Sequence, residues 1–196
     1  ISPLILEAVD LKVIKGGALL VDLPRLELPG GEVLSLIGPN GAGKTTLMQA
    51  LAFLTKPTAG SILFKGQRVE GAQAALAYRR RIAMVFQEPL LFNATVSENV
   101  AAGLKFRKLD RSRIRKIVES QLERFGIARL RKRSTRTLSG GEAQRTSLAR
   151  AFATEPEILF LDEPFASLDP PTREALTDDL ETALRATGTT AVLATH

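Results

Sequence analysis

Residues 33–54, VLSLIGPNGAGKTTLMQALAFL, set a β-like run, a glycine-rich loop and a helix-forming run in direct succession. The loop fits the spacing G-x-x-x-x-G-K-[ST]. It runs through Gly38, Pro39, Asn40, Gly41, Ala42, Gly43, Lys44 and Thr45, with Thr46 next. Glycines at these places let the backbone wrap a phosphate chain with its N–H groups inward, and the helix that follows adds its positive end. Lys44 then reaches the β and γ phosphates, and Thr45 presents a hydroxyl to Mg²⁺. A chain built around such a unit must carry an α/β core, because the strand has to deliver the loop and the helix has to pack back on the sheet.

The surrounding sequence agrees. ILEAVDLKVI, ALLVDLPRLELP and GSILFKGQRV read as strands flanking this unit, and the helix after the loop ends near Pro57. From about residue 89 to 137 the texture becomes Arg-rich and helical. Ile114, Ile117, Val118, Leu122 and Phe125 recur at helical spacing and predict one amphipathic helix. The α/β texture then returns, with a helix from Ser139, the apolar run ILFLDEP, a helix from about Thr172 and the β-like TTAVLATH. The expected organisation is an α/β core over 1–88 and 138–196, interrupted by a helical subdomain over 89–137.

ILFLDEP supplies a partner for the phosphate loop. Ile158 to Leu161 suit a strand buried on both faces, and Asp162 at its exit is a candidate Mg²⁺ ligand. Glu163 is the candidate general base or water-orienting group. Alone, an Asp-Glu pair at a strand end is a solvated pair of charges; after a buried strand in a chain with a phosphate loop, the catalytic reading is preferred.

A second glycine-rich turn, LSGGEAQR at 138–145, lies far from the first. Ser139, Gly140, Gly141 and Glu142 have the S-x-x-E spacing of a capping box, so a well-capped helix is one reading. A cap needs no glycines, and glycines in a first turn lower helix propensity while baring N–H groups. That pattern points to an anion as well.

With no cysteine, the chain has no disulfide framework and no cysteine-based metal site. It also lacks an apolar stretch of about 18 residues that could span a membrane. The net charge is +6, and the excess is local: Arg107 to Arg136 holds twelve Lys or Arg against three acids. Such a run is either a solvated helical face or an interaction face for nucleic acid or anionic lipid.

GPNGAGKTT, MVFQEP, LSGGEAQR, ILFLDEP, SLD and ATH, in this order, resemble the ATP-binding cassette (ABC) family of transporter motor subunits over essentially the whole chain. The resemblance implies a P-loop NTPase core, RecA-like, with a mostly parallel sheet, an antiparallel N-terminal β part and an inserted α-helical subdomain. It implies ATP and Mg²⁺ as ligands, and two ATPase subunits pairing head to tail. The turn Ser139 to Glu142 then closes on the ATP held by the partner subunit. Gln87 is expected to join core and helical lobe and to sense Mg²⁺ and the attacking water, Asp169 to touch the partner subunit, and His196 to contact the γ-phosphate. Further partners implied are transmembrane permease subunits, which dock on the helical lobe, and an extracytoplasmic substrate-binding protein. The expected place is peripheral, at the cytoplasmic face of the membrane.

By overall likeness the chain is most similar to importers of oxyanions such as tungstate or molybdate. Two departures stand out. The stretch LKVIKGG carries Lys15 and no aromatic where the family stacks adenine, leaving Ile14 or Lys15 to meet the base. The chain also starts without Met and stops at His196 where family members continue, so it is expected to be a piece of a longer protein. A non-transport cassette ATPase acting on nucleic acid or ribosomes is the alternative. The absence of cysteine zinc modules, the short interval between the glycine motifs and the single cassette speak against it, and no nucleic acid partner is expected. A P-loop metabolite kinase would not need LSGGE.

Overall fold

Two strands open the chain as one long hairpin. In the computed structural model, which describes residues 2–195, β1 (Leu4–Lys15) pairs antiparallel with β2 (Ala18–Pro29) through a turn at Gly16 and Gly17, both at positive φ. Leu6 and Ala8 and, past an irregularity at Asp10 (φ 50°) that shifts the alternation by one residue, Leu11 and Val13 are buried, as expected for a sheet with one face on a core. On its other side β1 pairs antiparallel with β4 (Ala59–Phe64), and β5 (Gln67–Arg68) completes the sheet in the order β2-β1-β4-β5.

The second sheet has the order β3-β8-β7-β6, formed by β3 (Val33–Ile37), β6 (Ile82–Val85), β7 (Ile158–Asp162) and β8 (Thr190–Thr195). β8 pairs in parallel with both β3 and β7. Every residue of β7 is buried, the outcome its unbroken apolar run requires. Helix α1 (Lys44–Leu51) follows β3, and α2 (Gly71–Arg79) precedes β6. Met48 and Leu51 of α1 share one core with Leu6, Leu28, Ile62, Phe160 and Val192. The observed α/β architecture, antiparallel at the N-terminus and parallel around the phosphate loop, is the fold expected.

The chain divides into two compact units. The first runs to Met84 and takes in Glu157–Glu163 and the stretch from Gly188 onward; the second comprises Val85–Pro156 and Pro164–Thr187. The second holds α3 (Val96–Phe106), α4 (Arg111–Arg124), α5 (Gly140–Ala153) and α6 (Pro170–Thr187). Thr95 and Glu98 close a capping box on α3, and Asp110 caps α4 by accepting from the N–H groups of Ser112 and Arg113. In α4, Val118, Gln121 and Leu122 are buried, with Ile114 and Ile117 half-buried beside them, so the amphipathic helix lies where its spacing puts it. The rings of Phe125 and Phe152 lie 5.5 Å apart in this unit's core.

Candidate functional site

The loop between β3 and α1 is shaped by its glycines. Gly41 has φ 80° and Gly43 φ 88°, in the left-handed region that side chains rarely adopt. At Gly43 a Cβ would also sit 2.7 Å from the carbonyl oxygen of Leu20, so two independent constraints demand glycine there. Gly43 is the N-cap of α1 and offers no side-chain cap. The first-turn N–H groups of α1 thus have no side-chain cap, and the helix dipole there favours an anion.

Lys44 turns back over this loop. Its Nζ donates to the carbonyl oxygens of Gly38 and, at 3.2 Å, Pro39, and lies 3.5 Å from Glu163 Oε1. The side chains of Lys44 and Glu163 are only 9% and 12% exposed. The ammonium therefore stands between the loop carbonyls and a carboxylate. Thr45 Oγ1 donates to Asp162 Oδ1 at 2.9 Å, joining the start of α1 to the end of β7. Asp162 is buried. Glu163 follows at φ 46°, a left-handed conformation that costs a non-glycine residue about 1–3 kcal/mol, and its N–H donates to Ala194 O at 3.2 Å. That turn directs the Glu163 carboxylate to Lys44.

The hairpin β1–β2 reaches the same loop, since Leu20 O touches the space beside Gly43. Ile14, Leu19 and Leu20 near its tip are exposed aliphatic side chains. No aromatic residue stands on this tip.

The second glycine turn belongs to the second unit. Ser139 Oγ accepts from Glu142 N at 3.2 Å and the Glu142 carboxylate accepts from Ser139 N at 3.0 Å, so the capping box is complete. The backbone N–H of Ser139 holds the Glu142 carboxyl below its usual pKa. A Cβ on Gly140 would meet Leu168 at an ordinary 3.5 Å, whereas one on Gly141 would meet Thr172 Cγ2 at 2.7 Å. Close packing against α6 thus accounts for Gly141 without any ligand, a constraint invisible in the sequence; Gly140 has no such reason. Asp169 Oδ1 accepts from Thr172 N at 3.0 Å and caps α6, a hydrogen bond that lowers its pKa.

Gln87 is exposed in the segment after β6. Sequence reasoning did not single out the residues that hold this segment. Gln144 Nε2 donates to Phe86 O at 3.4 Å, and Arg150 donates to Leu90 O at 2.7 Å with its guanidinium 5.8 Å from the Phe92 ring centre. Burial lowers the Arg150 pKa. Asn99 adds hydrogen bonds to Phe92 N and O. Two residues of the LSGGE helix, Gln144 and Arg150, therefore fasten the stretch that begins at Gln87. His196 lies outside the described residues.

The chain is similar to several known proteins. The chain is 43% identical over 176 residues to the sulfate/thiosulfate import ATP-binding protein CysA of Caulobacter vibrioides, covering 87% of this chain and 51% of that protein. It is 41% identical over 167 residues to the molybdate/tungstate import ATP-binding protein WtpC of Thermococcus kodakarensis, covering 85% and 50%. Relatives at similar identity are named for phosphate, spermidine/putrescine and methionine import. The chain spans about half the length of the first two relatives. Among solved structures, cbiO1 of Clostridium perfringens, described as part of the ABC transporter complex cbiONQ, superposes with a TM-score of 0.90 at 34% identity over 100% of this chain and 79% of that one. The ABC transporter family profile matches residues 22–166, from the strand beside Gly43 to the turn after Glu163. With the loop, the acidic pair and the second glycine turn all in place, this chain belongs to the ABC transporter family.

Proposed function

We propose that the chain is the ATP-hydrolysing motor subunit of an ABC importer whose cargo is an oxyanion such as tungstate or molybdate. The observation that carries the ATPase reading is the four-residue arrangement in the first unit. Lys44 and Thr45 at the start of one helix meet Glu163 and Asp162 at the end of one strand, with contacts of 3.5 Å and 2.9 Å. The cargo rests on likeness to relatives named for sulfate, molybdate and tungstate.

The residues suit a nucleotide with Mg²⁺. Asp162 and Thr45 offer hard oxygen donors, and the Thr45 hydroxyl, donating to Asp162, keeps its lone pairs for a cation. Among the described residues no group of three His, Cys, Asp or Glu gathers to hold a metal. That fits Mg²⁺, which takes one or two carboxylates and fills its shell with phosphate and water. When bound, the ion neutralises charge on the phosphate chain. The N–H groups from Gly41 to Thr46 wrap the phosphates, and Lys44 exchanges the Gly38 and Pro39 carbonyls for the β and γ oxygens. Glu163 orients the attacking water and accepts its proton at a carboxylate oxygen. Gln87 is assigned to Mg²⁺ and this water, His196 to the γ-phosphate.

Ser139, Gly140, Gly141 and Glu142 then serve a second ATP, the one held by a partner subunit. A helix start already closed by its own capping box presents its remaining N–H groups outward, and Asp169 beside it contacts that partner. Transmembrane permease subunits and an extracytoplasmic binding protein complete the importer, and the chain works at the cytoplasmic face of the membrane. No helix among the described residues is long and apolar enough to cross a membrane.

The test is Glu163→Gln, which keeps size and removes the base. ATP turnover is expected to fall about 10²–10⁴-fold with MgATP affinity retained. Undiminished turnover would remove Glu163 from the chemistry and the reading with it.

A further inference from the structure

We infer that the α3–α4 corner of the second unit, where exposed Phe106 is flanked in sequence by Lys105, Lys108 and Arg111, with Arg113 and Lys116 further along on the outer face of α4, docks on an anionic lipid surface. The inference rests on the reading of the chain as a membrane-associated ATPase.

Phe106 ends α3 and is 76% exposed, while the other large apolar side chains of that helix, Val96, Val100 and Leu104, are buried. Burying an aromatic side chain is worth about 1.5–3 kcal/mol, so leaving this one in water forgoes a gain that its helix takes elsewhere. These five cations are exposed, and none has an ion pair among the described residues. Elsewhere in the basic run the cations do find acids: Arg115 pairs with Glu119 and Arg133 with Glu142. The acids nearest these cations are both committed to helix caps, Asp110 to that of α4 and Glu98, which faces Lys105 along α3, to that of α3. At 100° per residue, Arg113 and Lys116 lie opposite the buried stripe of Val118 and Leu122 and face outward.

An ordinary solvated face intersperses both signs of charge and carries no exposed aromatic in the middle of one sign. An exposed apolar side chain flanked by long cationic ones matches the interface of an anionic bilayer. The ring enters the headgroup boundary, the Lys and Arg stems lie along it, and their heads meet phosphates. Each such cation contributes about fivefold in affinity near the surface. Single-stranded nucleic acid is favoured less, because it is held by several stacking aromatics. From Lys105 to Arg136 the only other aromatic is Phe125, which is buried.

The chain contains no tryptophan, so Phe106→Trp installs a single indole reporter at the corner. With vesicles of mixed phosphatidylglycerol and phosphatidylcholine, its emission is expected to shift to the blue and to be quenched by bromine-labelled acyl chains. Vesicles of phosphatidylcholine alone should produce neither change. In cosedimentation, Lys105→Ala/Lys108→Ala/Arg111→Ala should lose about a hundredfold in affinity for the anionic vesicles. Lys56→Ala/Arg68→Ala/Arg185→Ala removes equal charge elsewhere and should lose little. A reporter that stays red-shifted on anionic vesicles overturns the inference. So does an equal loss in both triple variants, or a corner triple that loses duplex DNA binding while keeping vesicle binding. The vesicle readouts need no nucleotide; a chain that binds vesicles but not ATP would sink the ATPase reading alone, and one that binds ATP but not vesicles would sink this inference alone.

Discussion

Thr45 Oγ1 and Asp162 Oδ1, 117 positions apart in sequence, are joined by a 2.9 Å hydrogen bond at the meeting of α1 and β7. The bond satisfies a buried carboxylate and fixes the hydroxyl beside the phosphate loop. Removing the donor leaves Asp162 short of a partner, which costs about 1–3 kcal/mol. Thr45→Ala should therefore melt at lower temperature than the wild type, and Thr45→Ser should not. In titrations with ATP, Mg²⁺ is expected to tighten binding to the wild type and to Thr45→Ser. With Thr45→Ala that gain should shrink toward the value measured in EDTA.

The hairpin tip beside the phosphate loop carries Ile14, Lys15 and Leu19 and no aromatic ring. Aliphatic contact buries a base without distinguishing its edge. ATP and GTP are therefore expected to differ by less than about 1.4 kcal/mol, or tenfold, in competition binding. Lys15→Tyr should tighten both, since stacking a base on an aromatic ring is worth about 1–3 kcal/mol. A strong preference of the wild type for ATP would mean that another residue reads adenine.

Gly141 separates packing from ligand binding. Its Cβ position lies 2.7 Å from Thr172 Cγ2, and Thr172 is β-branched and stiff. Gly141→Ala gains up to about 1 kcal/mol in helix propensity and loses about 1–3 kcal/mol to overpacking, so the net effect is destabilising. Adding Thr172→Ser removes the offending methyl and should restore the melting temperature. If the glycine also serves a phosphate from the partner subunit, turnover stays low in the double variant although its stability returns. Recovery of turnover with stability would make the glycine a packing residue only.

Much of this was legible in advance. The run ILFLDEP and the GPNGAGKTT loop each carry one dominant local constraint, an unbroken apolar stretch and a glycine pattern, and both elements sit where that constraint puts them. The spacing of Val118 and Leu122 placed α4 equally well. Helix α2 carries no comparable signal, because GAQAALAYR has only Ala75 and Tyr78 to bury and no side-chain cap at Glu70. The start of α3 had a readable signal in the T-x-x-E spacing of Thr95 and Glu98. What no sequence pattern could show is contact across distance: Leu20 O against Gly43, Thr172 against Gly141, and Gln144 and Arg150 holding the stretch after Gln87.

The shared-site reading of LSGGE has its own consequence. Ser139→Arg places bulk at a turn in the second unit and leaves Lys44, Thr45, Asp162 and Glu163 untouched. ATP affinity of the isolated chain should stay near the wild-type value, while ATP-driven pairing, followed by sedimentation in a Glu163→Gln background, is lost. Mixed with Lys44→Ala, the variant should regain part of its ATPase activity, because one of the two shared sites in the mixed pair is intact. Full turnover by Ser139→Arg alone would make the turn a helix cap and nothing more.

The central claim is that the loop from Gly38 to Thr46 binds the phosphates of ATP through its N–H groups and Lys44. Calorimetric titration of MgATP into the wild-type chain and into Lys44→Ala tests it most directly. The wild type is expected to bind. The variant, having lost the one side-chain cation aimed at the phosphates, should bind at least about thirtyfold more weakly, in line with about 2–5 kcal/mol for truncating one partner of a buried charge pair. Lys44→Ala binding MgATP with wild-type affinity would contradict the account.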